Sequence, residues 1–350
     1  MIICMRSDNL VKVAAFSGGI SDPSSRYRIR QYIDTLKEYN IEIDDFISLN
    51  GKYPPVEKSK RIIWGIKALH ERLKQVVSVN IKNYDCVFLQ REMISTLNTF
   101  ENFTPRPRIL DVDDAIYLHR RGNYIKKIAE NSDAVICGNK NLAEVFEKWN
   151  NQIYIAPTPV DIRKYVPNIN ARKIKEKVIM GWIGTSGGFK YLYKIEKALK
   201  DILKSNKNVE LLVVSDNEPK FSLIDEYKYV KWNEKTEVEN FQDIDIGLMP
   251  LIDDEWSRGK CSYKMLLYMS CESPVVVSPV GMNREVLDKG NIGFGARDYY
   301  SDWVESIEYL IKNETKRIEM GKFGRQVVQD NYSLDVLSKK MSEIIKRTVR

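Results

Sequence analysis

The chain has 350 residues, 43% of them hydrophobic and 29% charged, which is enough for two domains with separate cores and too apolar for a disordered chain. Its formal charge of +7, from 55 Lys and Arg against 48 Asp and Glu, is a mild excess spread along the sequence; it fits anionic ligands or lipid headgroups, and no signature of a nucleic-acid-binding module accompanies it. Five cysteines at irregular spacing, Cys4, Cys86, Cys137, Cys261 and Cys271, make no zinc pattern and read as reduced core residues of a cytoplasmic protein.

The N-terminal MIICMRSDNL breaks its apolar start at Arg6 and Asp8, unlike a signal peptide, and no later stretch approaches the roughly 18 apolar residues of a membrane span. Strands are predicted at VKVAAF (11–16), IEIDDFI (41–47), DCVFLQ (85–90), RILDVDD (108–114), AVICGN (134–139) and QIYIAPTPVD (152–161), with helices near 25–39, 57–79 and 140–149. Pro167 and the polar NINARKIKEK after it read as a linker. The rhythm restarts with VIMGWIG (178–184), a helix at 188–204, VELLVVS (209–215), KYVKW (228–232), DIDIGLMPL (243–251), a helix in GKCSYKMLLYMSCES (259–273) and PVVVSPV (274–280). Helices near 300–311, 314–330 and 333–348 close the chain.

Strands alternating with helices predict an α/β protein with two parallel sheets. The expected division is a Rossmann-like domain over 1–167, a second over 168–332, and a C-terminal helix, 333–350, packing back on the first. Two such halves facing each other would set their strand C-termini, where doubly wound sheets bind ligands, on the walls of one cleft.

Three stretches carry candidate chemistry. In WIGTSGGFKYL (182–192), Gly184, Gly187 and Gly188 permit close backbone approach to a ligand, the following helix would aim N–H groups at an anion, and Lys190 adds a cation. The spacing is neither a dinucleotide fingerprint nor a Walker loop, and a plain strand-to-helix turn is the alternative. Arg258, Lys260 and Lys264 are read at a helix start, where the macrodipole disfavours cations, which points to a shared anion; a solvated trio is the alternative. In the first half, Gly18 and Gly19 follow the first strand, with Ser25, Arg26 and Arg28 just beyond as cleft-facing or solvated residues. DVDDAIYLH supplies Asp111, Asp113, Asp114 and His119: a D-x-D triplet can bind a divalent metal, whereas Asp113 or Asp114 orienting a hydroxyl or capping the next segment suits this context better.

Taken together, SSRYRIRQYIDTL, DVDDAIY, SDAVICGN, LAEVF, IAPTPVD, GWIGTSGGFKYL, DIDIGLMPL and YKMLLYMSCESPVVVSPVGMNREV resemble, in order along nearly the whole chain, a family 4 retaining glycosyltransferase of GT-B architecture. The resemblance implies two Rossmann-like domains and metal-independent transfer of a sugar from a nucleotide diphosphate donor, a UDP- or GDP-sugar, to a saccharide or lipid-linked acceptor in surface polysaccharide or glycolipid assembly. No cofactor is implied. The donor would lie on the second domain, its diphosphate held by Gly184, Thr185, Gly187, Gly188, Lys190, Lys260, Arg258 and Lys264, its base by Trp232, and its remainder within reach of Glu285, Gly18 and Gly19. Lys264 and Arg258 would answer the leaving group's charge, Asp113 and His119 would act at the reacting groups, and Ser25, Arg26 and Arg28 would face the acceptor.

The sequence departs from the family at two positions: where relatives carry glutamates, the second of which binds the donor ribose, it has Gly259 and Leu267. A catalytically silent nucleotide-sugar-binding scaffold is therefore a second reading, and a dinucleotide oxidoreductase a third. Finally, VEKSKRIIWGIKALHERLKQVV (56–77) sets Ile62, Ile63, Trp64, Ile66 and Leu69 among Lys58, Lys60, Arg61, Lys67, Arg72 and Lys74. That pattern suits an anionic membrane surface, with an ordinary sheet-covering helix as the alternative.

Overall fold

The computed structural model describes residues 10–20, 22–168 and 176–350; Cys4 and most of the predicted linker, 169–175, lie outside them. The chain divides into two compact units, residues 1–159 with 334–350, and residues 160–333.

In the first unit, β1 (Val11–Ser17), β2 (Ile41–Ile47), β3 (Cys86–Gln90), β4 (Arg108–Val112), β5 (Ala134–Cys137) and β6 (Ile153–Ile155) form a parallel sheet in the order β2-β1-β3-β4-β5-β6. β3 and β4 are buried at every position, as strands covered on both faces must be, while edge strand β2 leaves Glu42 and Asp44 exposed. Helices α1 (Tyr32–Lys37), α2 (Arg61–Ile81), α3 (Asn123–Glu130) and α4 (Lys140–Phe146) run between strands. The C-terminal helix Leu334–Val349 joins this unit, with Leu337, Met341 and Ile345 packed into the core of Val13, Ile29, Tyr32, Phe88 and Ile109.

The segment read as one helix from Ser25 is more articulated. Asp22 caps it by accepting the Ser25 N–H at 3.3 Å, Pro23 fills its first turn, and Arg26–Arg30 is wound as a π-turn before α1. The wider turn carries Arg28 and Ile29 inward, where both are buried.

In the second unit, β7 (Val178–Ile183), β8 (Val209–Ser215), β9 (Lys228–Lys231), β10 (Ile246–Met249), β11 (Val275–Val277) and β12 (Gly293–Gly295) are parallel in the order β12-β11-β10-β7-β8-β9. The short β12, in NIGFG, is a strand that its glycines hid from the sequence reading. Its helices include α5 (Glu196–Ser205), α6 (Tyr263–Ser270), α7 (Met282–Leu287), α8 (Ser301–Lys312) and α9 (Glu314–Asn331). Met180, Leu199, Ile202, Leu211, Val213, Trp303 and Ile307 share one buried core.

The strand orders locate the ligand-binding edges. Chain direction across the sheet reverses between β1 and β3 in the first unit and between β7 and β10 in the second, and crevices open at the C-terminal ends of such pairs. Among the described residues, no helix is long and apolar enough to cross a membrane.

Candidate active site

At the reversal in the second unit, the loop after β7 rests on Trp182, which is 4% exposed. A Cβ at Gly184 would lie 2.5 Å from the indole Cη2 and one at Gly188 3.0 Å from Cζ2, so the indole leaves no room for a side chain at Gly184 and little at Gly188. Gly187 meets only Thr185 Oγ1, at 3.8 Å. On neighbouring β10, a Cβ at Gly247 would lie 2.4 Å from the Tyr268 ring; its absence lets Tyr268 pack under β7 and accept the Ile183 N–H at 2.8 Å. Lys264 stands one turn before Tyr268 on the same face of α6. Docking Tyr268 at Ile183 therefore delivers Lys264 to the next residue of the loop. Its Nζ lies 2.7 Å from a Cβ built at Gly184 and 5.3 Å from the Trp182 ring centre, within cation–π range.

Arg258 and Lys260 do not share that helix entrance. The chain forms a turn, Glu255–Arg258, capped by Asp254 accepting the Ser257 N–H at 2.7 Å; it then breaks at Gly259 and restarts as α6 after Ser262, at φ +50°. Arg258 thus ends a turn, where the backbone dipoles favour a cation, which corrects its expected place at a helix start. Its exposed guanidinium meets Asp253 at 2.7 Å. Lys260 lies 5.4 Å from the Trp256 ring centre, and exposed Lys190 4.9 Å from that of Tyr191. Gly281, at φ +53°, brings its Cα so close that a Cβ would lie 2.7 Å from the Arg258 carbonyl; no other residue fits that turn, which leads into α7 and sets Glu285 in its first turn. Glu285 acts on Tyr332, whose phenol is pushed up to about 12 by burial first and by this carboxylate second. Trp232, half-buried, follows β9 and donates its N–H to the Ser215 carbonyl at 2.8 Å.

The loop's N–H groups are not all open to a ligand. Asp216, after β8, accepts the Ser186 N–H at 2.6 Å and the Ser186 hydroxyl at 2.9 Å, and the Gly188 N–H bonds the Thr185 carbonyl at 2.8 Å. Burial raises the Asp216 carboxyl, but the Ser186 and Ser215 hydrogen bonds outweigh it and hold it below the usual range. Asp216 escaped the sequence reading; its signal is S-D-N directly after a strand.

At the reversal in the first unit the charges turn inward. Arg28 is 1% exposed and grips Asp111 with two nitrogens, Nε to Oδ2 at 3.0 Å and Nη2 to Oδ1, while Nη1 donates to the Ala156 carbonyl at 2.8 Å. It is a core ion pair spanning β4 and the end of β6, so the expectation of an acceptor-facing Arg28 is corrected by its burial. Burial opposes its charge, and Asp111 outweighs that, so the guanidinium holds its proton more tightly than in water. Arg91, buried after β3 at φ +59°, takes Asp113 at 2.5 Å, Asp114 at 3.0 Å and the Ser24 hydroxyl at 2.9 Å. The Asp113 carboxyl is pushed up by burial yet held down to about 2 by Arg91. Every carboxylate of D-V-D-D thus has an arginine partner.

Ser25, buried, accepts the Gly18 N–H at 2.8 Å and donates to Asp22 at 2.6 Å, so it fastens the glycine loop rather than presenting its hydroxyl. Arg30 ties down the same loop through the carbonyls of Gly19, at 2.8 Å, and Ile20. Arg26 lies 5.0 Å from the Tyr27 ring centre, and His119 is exposed. Arg91 was missed because its carboxylates lie 22 and 23 residues away, and Arg30 because the loop groups it holds are carbonyls, which leave no mark in the sequence.

Residues 179–313 match the family model described as glycosyl transferases group 1. The matched residues lie within the second unit. The whole chain resembles the sucrose-phosphate synthase of Thermosynechococcus elongatus with a TM-score of 0.69 at 14% identity over 96% of this chain and 98% of that one. It also resembles Anabaena HepE solved with UDP and glucose, with a TM-score of 0.70 at 12% identity over 96% and 99%. A third likeness is to WaaG, a glycosyltransferase involved in lipopolysaccharide biosynthesis, with a TM-score of 0.63 at 14% identity over 95% and 99%. No curated protein sequence matches. The chain has the GT-B fold. In the second unit, β7 with its glycine loop, β10, α6 and α7 all lie inside the matched residues, and so do Lys264, Arg258, Asp216 and Glu285. Leu267 is 2% exposed and belongs to the core.

Proposed function

We propose that the chain transfers a sugar, with retention and without a metal, from a UDP- or GDP-sugar held on the second unit to a saccharide or lipid-linked acceptor taken by the first. The observation that carries this reading is the Lys264 ammonium set against Gly184 at the strand reversal of a group 1 domain. As the bond from the anomeric carbon to the diphosphate breaks, negative charge gathers on the departing oxygen. Lys264, with Arg258 and Lys190 as mobile cations, stabilises it, a kind of term worth several kcal/mol when the charges are preorganised. The acceptor oxygen forms the new bond on the same face, and its proton passes to the departing phosphate. That HepE and WaaG share the fold supports a sugar-nucleotide donor and a role in surface polysaccharide or glycolipid assembly.

Helix α2 supports work at an anionic membrane. Ile62, Ile66, Leu73, Val77 and Ile81 are 75%, 65%, 44%, 49% and 77% exposed, beside exposed Lys58, Lys60, Lys67 and Lys74. Two residues of the sequence reading leave that face: Trp64 donates its indole N–H to the Asn50 carbonyl at 2.8 Å, and Arg72 is buried, donating to the carbonyls of Phe46 at 2.9 Å and Ser17 at 2.5 Å.

A silent nucleotide-sugar-binding partner is the second reading, favoured by Leu267 in place of a ribose carboxylate and by Asp216 on the loop. Thermal-shift measurements with UDP, GDP, CMP and NAD, followed by turnover of the stabilising nucleotide's sugars, decide between them. UDP or GDP is expected to stabilise the chain and its sugars to turn over; stabilisation by NAD alone would sink the proposal, and binding without turnover on any acceptor would hand it to the silent partner.

A further inference from the structure

Past Asp113 and Asp114 the chain makes a turn unlike the rest of the molecule. Arg120 and Arg121 stand at φ +47°, ψ +38° and φ +58°, ψ +20°, followed by Gly122 at φ +70°. A non-glycine residue in that region costs roughly 1–2 kcal/mol, and here two adjacent arginines bear it. Their surroundings impose the shape. A Cβ at Gly122 would lie 2.7 Å from the Tyr117 carbonyl, so only glycine closes the turn, and the Tyr124 hydroxyl of α3 clamps it by donating to the Ile116 carbonyl at 2.7 Å.

Arg28, Arg30, Arg72, Arg91 and Arg108 are all bonded to carboxylates or carbonyls. Arg120 and Arg121 are exposed, stand next to exposed His119, and make no hydrogen bond or ion pair among the described residues. Glu92, Arg91 and Arg120 all act electrostatically on the Tyr124 phenol, which places the turn beside the polar cluster at the strand reversal. There Arg91 already answers Asp113 and Asp114. A rigid backbone outlier that gathers like charge without a counter-charge is built for a ligand that supplies one. Two guanidinium groups carried by one exposed turn suit the oxygens of a phosphate better than a single carboxylate.

We propose that Arg120 and Arg121 are the receptor for a phosphate or diphosphate group carried by the acceptor. The identity of that carrier rests on the acceptor role given to the first unit; the anion site does not.

The test is equilibrium binding to the full chain with UDP at saturation, so that the donor site is filled. Inorganic pyrophosphate, farnesyl diphosphate, and vesicles of phosphatidylglycerol or phosphatidylcholine are compared. The variant is Arg120→Asn with Arg121→Asn, because asparagine tolerates the left-handed turn and removes only the charge. Wild type is expected to bind farnesyl diphosphate, and the variant at least tenfold more weakly, with UDP binding unchanged; Arg→Lys at both positions should recover part of the loss. Equal binding of pyrophosphate would identify a soluble phosphate, a preference for farnesyl diphosphate a lipid-linked one, and arginine-dependent sedimentation with phosphatidylglycerol alone a headgroup. If wild type binds none of these in the presence of UDP, or the asparagine variant binds as wild type does, the receptor does not exist. Loss of UDP binding in wild type would instead strike the donor reading and leave this one standing.

Discussion

The two units present the same strand reversal and use charge there in opposite ways. In the first, Arg28 and Arg91 are drawn inside and consumed by Asp111, Asp113 and Asp114. In the second, Lys264 is braced against the glycine loop by Trp182 and Tyr268, and Arg258 remains exposed beside Asp253. A cation near a strand's C-terminal end is therefore not evidence of a ligand until its partners are known. What separates Arg28 and Arg91 from Arg258 is burial: the first two meet their carboxylates inside the unit, the third meets Asp253 at the surface.

The sharpest way to break this comparison is Arg28→Ala. It leaves Asp111 buried and unpaired, which should destabilise the first unit by about 3–5 kcal/mol. Calorimetry should show the loss, and Arg28→Met combined with Asp111→Leu should regain most of it. An Arg28→Ala chain that melts like wild type yet no longer transfers sugar would return Arg28 to the acceptor side.

Next in size is Lys264→Ala, expected to lower transfer at least about a hundredfold, the scale of losing one charge-stabilising donor, without moving the melting transition. Gly184→Ala should mimic it by crowding the ammonium and the Trp182 ring, at an added cost of roughly 1–3 kcal/mol in stability. Wild-type turnover in Lys264→Ala would remove the residue from the site.

Asp113 tests the inward-turned charges by pH. A carboxyl lowered to about 2 in the fold contributes in full above the ordinary carboxylate value near 4, and that contribution is lost as pH falls toward 2. Asp113→Asn should therefore cost stability of order 2 kcal/mol at neutral pH, and the gap to wild type should close across that acid window. A gap that stays constant with pH would mean the Arg91 pairing is not its source.

The alternation of strands and helices was legible because its signal is local: runs such as VELLVVS and PVVVS declare buried parallel strands by composition. Lys264 was legible too, since its apolar neighbours Met265 to Met269 place it at a helix entrance. The misreadings share one cause. Arg28 finds Asp111 83 residues away, Trp64 bonds a carbonyl 14 residues back, and Arg72 crosses 55 residues to Ser17. Periodicity gives a residue's face but not the element that covers it. The break at Gly259 to Ser262 was hidden for a related reason: Ser262 is left-handed, a conformation that serine does not advertise.

The smallest expected effect, and the finest test of the contrast, is Asp216→Asn. Its carboxylate sits where the second unit would otherwise offer the Ser186 N–H to an anion, so it sets a negative charge beside the glycine loop. Asparagine keeps an oxygen for the Ser186 N–H and removes the charge. If the diphosphate lies by this loop, UDP binding should tighten by roughly two- to fivefold at low salt, and the gain should fade as salt screens the exposed carboxylate. Weaker binding would show that Asp216 supports the loop's shape more than its charge repels. Unchanged binding at every salt concentration would move the diphosphate away from Ser186, toward Gly184 and Lys264.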